Sequence, residues 1–393
     1  MTQDHRIVVI GGGGTGAAIL YDLVSRGFRA TLFERGELTS GTTGRHHGQL
    51  HSGARYAVND REIARECMEE TRTLRRIAPE SIESNYGLFV ALTEEDEEFE
   101  PTFVEACEES GIPTRRISGE EARRMEPGLA PSIRKAVLVP DGTLDAWRLP
   151  LQFFASARAL GATVHSFSPV VGIHRNGGRV TGVRVRDLAS NGEYDVPADL
   201  VINATGAWAG QLTHEAGMSL PITPAPGTMV AVRGRIVNMI VSHLHEPDDG
   251  DIIVAQRGLS IIGSTQWTTE DPDKTPTPED DIQLLIDRAE QMVPSFSEQR
   301  FHAAWTAVRP LAGASQTGGR ELSRDFHCID HAESDGVEGF LSVTGGKATV
   351  LRAMAETSVD VACEKLGVTD APCTTAETPL QPHRAFFKPK ERI

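Results

Sequence analysis

The chain has no apolar run near the ~20 residues that a membrane span requires, no CxxC pair, and no surplus of basic side chains. Without a long apolar run, contact with a membrane is expected to be peripheral or through a partner. The five cysteines, Cys67, Cys107, Cys328, Cys363 and Cys373, are odd in number and scattered. That fits a reducing compartment and argues against a cysteine-ligated zinc or iron–sulfur site. The formal net charge of −16 argues against nucleic acid as a partner, because a phosphate backbone is bound through excess Lys and Arg. The N-terminus opens directly on a strand, with no charged segment before an apolar one, so no signal peptide is expected. There is no internal repeat and no low-complexity segment. What remains is ordinary for a soluble globular protein: 393 residues, 39% hydrophobic and 24% charged, long enough for two or three domains. The basic, aromatic tail "PHRAFFKPKERI" reads as a loosely ordered terminus or as a docking strip.

"RIVVI" (6–10) is a short apolar run ending in glycines, the pattern of a buried parallel strand. "GGGGTG" follows, then the helical "AAILYDLVSRG" and the strand "ATLFE" (30–34). Gly11-x-Gly13-x-x-Gly16 therefore lies between a strand and a helix. Gly11 suits the tight turn, Gly13 the approach of backbone to a pyrophosphate, and Gly16 the close packing of helix on strand, while the helix N-terminus offers free N–H groups to an anion. Glu34 ends the second strand, where it can accept hydrogen bonds from a ribose. This fingerprint alone does not separate FAD from NAD. The far end favours a flavin: "TGGKATVLRAMAE" sets Gly345-Gly346 before a second helix N-terminus, some 330 residues away, and a reduced flavin ring gains from such a second anchor. "NATGAW" (203–208) supplies a third glycine turn.

Elsewhere the pattern predicts a polar helix over 60–85, an acidic helix over 93–111, a helix and strand over 149–164, a β-hairpin turning at Asn176-Gly177-Gly178, a strand over 198–208, a strand-rich stretch over 221–268 and helices near 279–294 and 347–367. The strand–glycine–helix pattern brackets the chain. The expected fold is α/β: a Rossmann-type FAD-binding domain assembled from 1–90, 145–220 and 300–370, a β-rich substrate domain from 91–144 and 221–299, and a C-terminal tail over 371–393.

Taken in order, "VVIGGGGTGAAI", "LFERGELTSGTTGRHHGQLHSGARYAV", "RECMEE", "YGLFV", "VPDGTLDAWRL", "GVRVRD", "DIIVAQRGLSIIGST", "AVRPL", "GGKATVLRAMAE" and "PCTTAE" resemble the FAD-dependent D-amino-acid-oxidase-like superfamily. Within it the chain is most similar to the large, flavin-bearing subunit of anaerobic sn-glycerol-3-phosphate dehydrogenase, over residues 6 to about 378.

The resemblance implies a function, FAD-dependent oxidation of sn-glycerol 3-phosphate to dihydroxyacetone phosphate, and a set of roles. FAD contacts are expected from Gly11, Gly13, Gly14, Thr15, Gly16, Glu34, Arg35, Thr42, Thr43, Arg45, His46, His47 and Gly48. Further ones are expected from Val171, Ala204, Thr205, Gly206, Trp208, Gly345, Gly346, Lys347, Ala348 and Thr349. The substrate phosphate falls to Arg55, Tyr56, Arg324 and Lys347, and a dianion is well met by bidentate Arg donors. Arg309 and Tyr56 orient the hydroxyl, and His51 is the first candidate for the base that takes its proton. A histidine of this segment carries a covalent flavin link in related amine dehydrogenases. Some membrane-bound relatives place a histidine in the glycine strand of the second domain. Here "PAPGTMV" has Met229, so no base is expected there, and His243 and His245 are expected to face solvent. No metal is expected.

The large chain of the anaerobic enzyme usually continues past "PCTTA" into a cysteine-rich domain. Here no such ligand set follows, so electrons are expected to leave for a separate partner subunit, a soluble acceptor, a quinone or oxygen. The expected location is cytoplasmic, free or peripheral at the inner face of the membrane. The competing substrates are another 2-hydroxy acid or phosphorylated polyol and, further off, an amine or amino acid. A non-catalytic electron-transfer subunit is the competing class.

Overall fold

The computed structural model describes residues 4–313 and 325–388. Arg324, expected at the substrate phosphate, lies outside the described residues.

Two large sheets organise the chain. The first has six strands in the order Phe326–Asp330, Phe340–Gly345, Leu200–Asn203, Arg6–Ile10, Arg29–Phe33, Thr163–His165. Its strands pair in parallel, except that Phe326–Asp330 runs antiparallel along one edge. Both faces are covered, which is why these strands read as near-continuous apolar runs rather than alternating ones. On one face Ile7, Val9 and Leu32 pack with Ile19 and Leu20 of the helix Gly14–Ser25, Phe153 and Phe154 of Arg148–Ala159, and Val359 of Leu351–Leu366. On the other, Val8, Phe33, Val201 and Phe340 meet Val180, Val183 and Val185 of a three-stranded antiparallel sheet. That sheet contains the predicted hairpin, with strands Val170–Asn176 and Arg179–Asp187.

The second large sheet is mixed, with eight strands in the order Phe301–Ala312, Ile222–Arg233, Leu259–Gly263, Ile252–Gln256, Ile240–His243, Gly87–Ala91, Lys135–Val139, Arg115–Ser118. Side chains alternate across it with the period of two that a strand imposes. Leu88 and Val90 pack toward Leu285, Ala289 and Met292 of the helix Glu279–Met292. Phe89 and Ala91 pack toward Phe103 and Val104 of the acidic helix Glu94–Glu109. That helix opens on a capping box: Thr93 Oγ1 accepts the Asp96 N–H, and Asp96 accepts the Thr93 N–H.

A small sheet of Gln49–Leu50, Gly142–Leu144 and Ile82–Glu83 ties down the start of the histidine-rich segment. Strands Arg6–Ile10, Arg29–Phe33, Leu200–Asn203 and Phe340–Gly345 all end at one cavity, the place where open parallel sheets bind ligands. All five cysteines are free thiols. Among the described residues no helix is long and apolar enough to cross a membrane.

The expectation for His243 and His245 is corrected. His243 is buried, with Nε2 bonded to Asp96 at 2.9 Å, and His245 is mostly buried against Asp251. The reason is topological. His243 ends an interior strand of the eight-stranded sheet, and the helix carrying Asp96 packs over it.

Candidate cofactor and substrate cavity

The cavity has a volume of about 790 Å³ and runs between the two large sheets. Gly11, Gly13, Gly14 and Thr15 line one end. Gly11 has φ +110°, and a Cβ there would lie 2.5 Å from the Ala204 carbonyl oxygen, so only glycine fits. A Cβ on Gly16 would overlap the Gly11 carbonyl oxygen, which is the close helix–strand approach the spacing predicts. The helix Gly14–Ser25 has no side-chain cap from its N-cap residue. Thr43 Oγ1 takes the Gly14 N–H at 3.0 Å, tying the segment 39–48 to the phosphate loop. Glu34 accepts the N–H groups of Gly12 and Gly36 at 2.7 and 2.8 Å, which fixes its carboxylate at the cavity. Beside it Arg35 stacks on Trp208, 4.3 Å from the ring centroid, and Asp273 holds both, at 3.2 Å from Arg35 and 2.9 Å from Trp208 Nε1. A helix N-terminus with no cap from its own N-cap residue, a glycine-only approach, a fixed carboxylate and a flat aromatic wall fit the pyrophosphate, ribose and adenine of a dinucleotide.

Further along, Thr42, Arg45, His46 and His47 line the cavity from one side, and Gly345, Gly346, Lys347 and Ala348 from another. Val171, Ala204, Thr205 and Gly206 also line the cavity, with Ala204 and Thr205 against Gly11. Gly16, Gly48 and Thr349, expected to touch the cofactor, do not line the cavity. Gly48 packs on Gln256 and the Leu144 carbonyl, and buried Thr349 accepts the His51 N–H at 3.0 Å.

The two adjacent histidines share one device. The Nδ1 of His46 accepts the Gly48 N–H at 2.9 Å, and that of His47 accepts the Gln49 N–H at 3.3 Å. An acceptor Nδ1 puts the proton on Nε2 and leaves each ring neutral. Burial pushes His46 down to about 4. Burial, then the charges of His46, Arg309 and Arg55, push His47 to about 3. In the unfolded chain both titrate near 6.5, so acid favours unfolding. The stability contribution is full above pH about 6.5 and is lost as pH falls toward 4 and then 3. Thermal melting of the flavin-loaded protein should therefore drop between pH about 7 and 5, and drop less in His47→Gln.

The other end of the cavity is cationic. Arg55 and Arg309 both line it and both act on His47, and Lys347 Nζ sits 4.7 Å from the Tyr56 ring centroid. The His51 ring lies 5.4 Å from that of Tyr56 and 6.4 Å from that of His47. Arg55 is not a bare cation: its Nη2 contacts Asp251 at 2.7 Å and the Asp248 carbonyl at 3.1 Å. Arg309 is aimed by the Ser264 hydroxyl and by the carbonyls of Thr265 and Ala225. Thus the structure brings together Arg55, Tyr56, His51, Arg309 and Lys347. Met229 is buried in the neighbouring strand.

Sequence reasoning missed Asp273, Ser264, Asp248 and Asp251. They come from loops and strand ends of the second sheet and reach the cavity region only through the tertiary fold. Asp251 and Ser264 stand inside the stretch "DIIVAQRGLSIIGST", but nothing in its local pattern marks the contacts they make.

A parallel-sheet dinucleotide cavity closed by a second sheet fits an oxidoreductase that binds a dinucleotide cofactor. The chain belongs to the FAD dependent oxidoreductase family DAO, whose family model matches residues 6–352, and its cofactor is FAD. It is 42% identical to the A1 subunit of the anaerobic glycerol-3-phosphate dehydrogenase of Haloferax volcanii, over 97% of this chain and 67% of that protein. It is 40% identical to the A subunit of the anaerobic glycerol-3-phosphate dehydrogenase of Escherichia coli strain K12, over 96% of this chain and 70% of that one. Among solved structures, glycine oxidase from Geobacillus kaustophilus matches with a TM-score of 0.74 at 23% identity, covering 96% of this chain and 99% of that one. The FAD complex of glycerol-3-phosphate dehydrogenase from Bacillus halodurans matches with 0.73 at 24%, covering 96% and 68%. At such identities these structures establish the fold.

Proposed function

We propose that this chain catalyses the FAD-dependent oxidation of sn-glycerol 3-phosphate to dihydroxyacetone phosphate. The observation that carries the reading is the cationic end of the cavity, formed by Arg55, Arg309 and Lys347, in a chain about 40% identical to subunits named for that dehydrogenase.

The phosphate dianion is repelled by a surface of net charge −16 and attracted where these cations converge. Lys347 and the Arg55 nitrogens not engaged by Asp251 bind it, joined by Arg324. Arg309 and Tyr56 direct the secondary hydroxyl. His46 and His47, neutral and protonated on Nε2, donate hydrogen bonds and do not act as bases. That leaves His51, or a water molecule, to take the hydroxyl proton. When bound, FAD supplies the hydride acceptor, with Gly11–Thr15 and Glu34 holding its adenosine diphosphate and Thr42–His47 with Gly345–Ala348 its ring. Electrons then leave for a separate redox partner, a protein subunit or a quinone, and the chain works in the cytoplasm, free or at the inner membrane face. The relatives are named as lettered subunits of a larger enzyme, which supports a partner.

Dye-coupled turnover across sn-glycerol 3-phosphate, glycerol, 2-hydroxy acids and amino acids tests this. Each charge-assisted hydrogen bond is worth about 1.5–3 kcal/mol, so kcat/KM for the phosphate ester should exceed that for glycerol by roughly 1,000-fold. A hydroxy acid or an amino acid outrunning the ester would replace the substrate.

A further inference from the structure

Beside the cavity lies a histidine–carboxylate cluster whose one link to the oxidation is the contact of Asp251 with Arg55. His243, at the end of the strand Ile240–His243, and His245, two residues on, present their rings to one another with centroids 3.7 Å apart. Asp251 joins them, and ligand atoms of the three residues all lie within 4.8 Å of one another. Their side chains are 10%, 23% and 1% exposed. We propose that His243, His245 and Asp251 form a binding site for a first-row divalent transition metal ion such as Zn²⁺ or Fe²⁺.

The chemistry of the donors argues for it. Two imidazoles and one carboxylate are the donor set of Zn²⁺ and Fe²⁺ sites, whereas Ca²⁺ and Mg²⁺ take oxygen ligands. His245 Nε2 and Asp251 Oδ1 are 2.9 Å apart. Ligand atoms on one ion at ~2.0–2.2 Å stand roughly 3.0 Å apart in octahedral and roughly 3.4 Å apart in tetrahedral geometry, so a small opening of this contact lets a cation replace the proton between them. His243 has the outer-shell partner typical of a metal-bound histidine. Its Nε2 is bonded to Asp96, and Asp96 is fixed by the Leu92 and Thr93 N–H groups at 2.7 and 2.8 Å. That arrangement orients the ring and leaves Nδ1 as its ligand atom. Charge also permits a cation. Asp96 and Asp251 bring two carboxylates, and Arg55, on the other oxygen of Asp251, brings one compensating guanidinium. The strand ends at His243 and the chain bends after it, which brings the His245 ring back beside that of His243. The ion would lock the segment 243–251, whose Asp251 in turn holds Arg55 at the cavity.

The test uses the full chain loaded with FAD, treated with EDTA and then dialysed against buffered Zn²⁺. One equivalent of Zn²⁺ should be retained in the presence of excess Mg²⁺ and Ca²⁺, and the His245→Ala variant should lose at least about 10-fold in affinity. Retention of FAD by the variant shows that it is folded. X-ray absorption on the wild-type protein needs no variant, and should find a nitrogen–oxygen shell with imidazole scattering. No uptake by the wild type, unchanged uptake by His245→Ala, or a sulfur-containing shell would each overturn the proposal and leave the cluster a hydrogen-bonded support for Arg55.

Discussion

Replacing Arg309 by Met should lower kcat/KM for sn-glycerol 3-phosphate by roughly 100- to 1,000-fold, the loss that follows removal of one preorganised donor at developing charge. Arg309 sits on the strand Phe301–Ala312, and the Ser264 hydroxyl and two carbonyls hold its fork in place before anything binds. A donor fixed this way needs no reorganisation when the reaction occurs. Removing it also relieves His47 of a neighbouring positive charge. Lys at this position restores the charge without the planar fork, and should recover only part of the loss. The check is steady-state kinetics together with FAD content. A fall in kcat/KM at full FAD occupancy places Arg309 with the substrate. Loss of FAD instead would mean that the strand, rather than the donor, had been damaged.

Arg352→Met should destabilise the protein by about 3–5 kcal/mol, the usual cost of removing one partner from a buried ion pair. The Arg352 guanidinium meets both oxygens of Glu70 at 2.6–3.0 Å and also reaches Glu356 and Thr375. The Arg352 and Glu70 side chains are 7% and 6% exposed. With the cation gone, Glu70 is left as a buried carboxyl whose pKa burial already pushes upward. The pair clamps the helix Arg61–Ile77, which follows His51–Tyr56, to the helix Leu351–Leu366, which follows Gly345–Ala348. Damage here should therefore also weaken FAD retention. Denaturant unfolding measures the loss. Glu70→Leu added to Arg352→Met should recover much of it, because the pair is then replaced by apolar packing. If the double variant is no better than the single, the Arg352 stem and its Glu356 and Thr375 contacts carry the stability.

The cofactor end was legible because its instructions are local. Gly11, Gly13 and Gly16 are required by backbone approaches within one strand–turn–helix unit, and Glu34 follows at the end of the next strand. Gly345 and Gly346 announce themselves in the same way. The cationic end was legible only through resemblance, since Arg55, Arg309 and Lys347 are far apart in sequence. What stayed hidden is set by partners from distant elements. Asp251 restrains Arg55, Asp273 braces Arg35 and Trp208, and Asp96 draws in His243 across 147 positions. His243 looked solvent-facing because a polar ring beside a strand gives no sign of a carboxylate arriving from another helix. The neutral state of His46 and His47 was equally hidden, because it depends on backbone N–H groups that only a tight local path brings onto Nδ1.

The decisive experiment is anaerobic. The FAD-loaded protein is mixed with sn-glycerol 3-phosphate, without any acceptor, and the absorption of oxidised flavin is followed. Rapid bleaching by the phosphate ester, and none by glycerol at the same concentration, is the expected outcome. An unchanged spectrum with sn-glycerol 3-phosphate, in a sample that dithionite still reduces fully, would refute the proposed reaction.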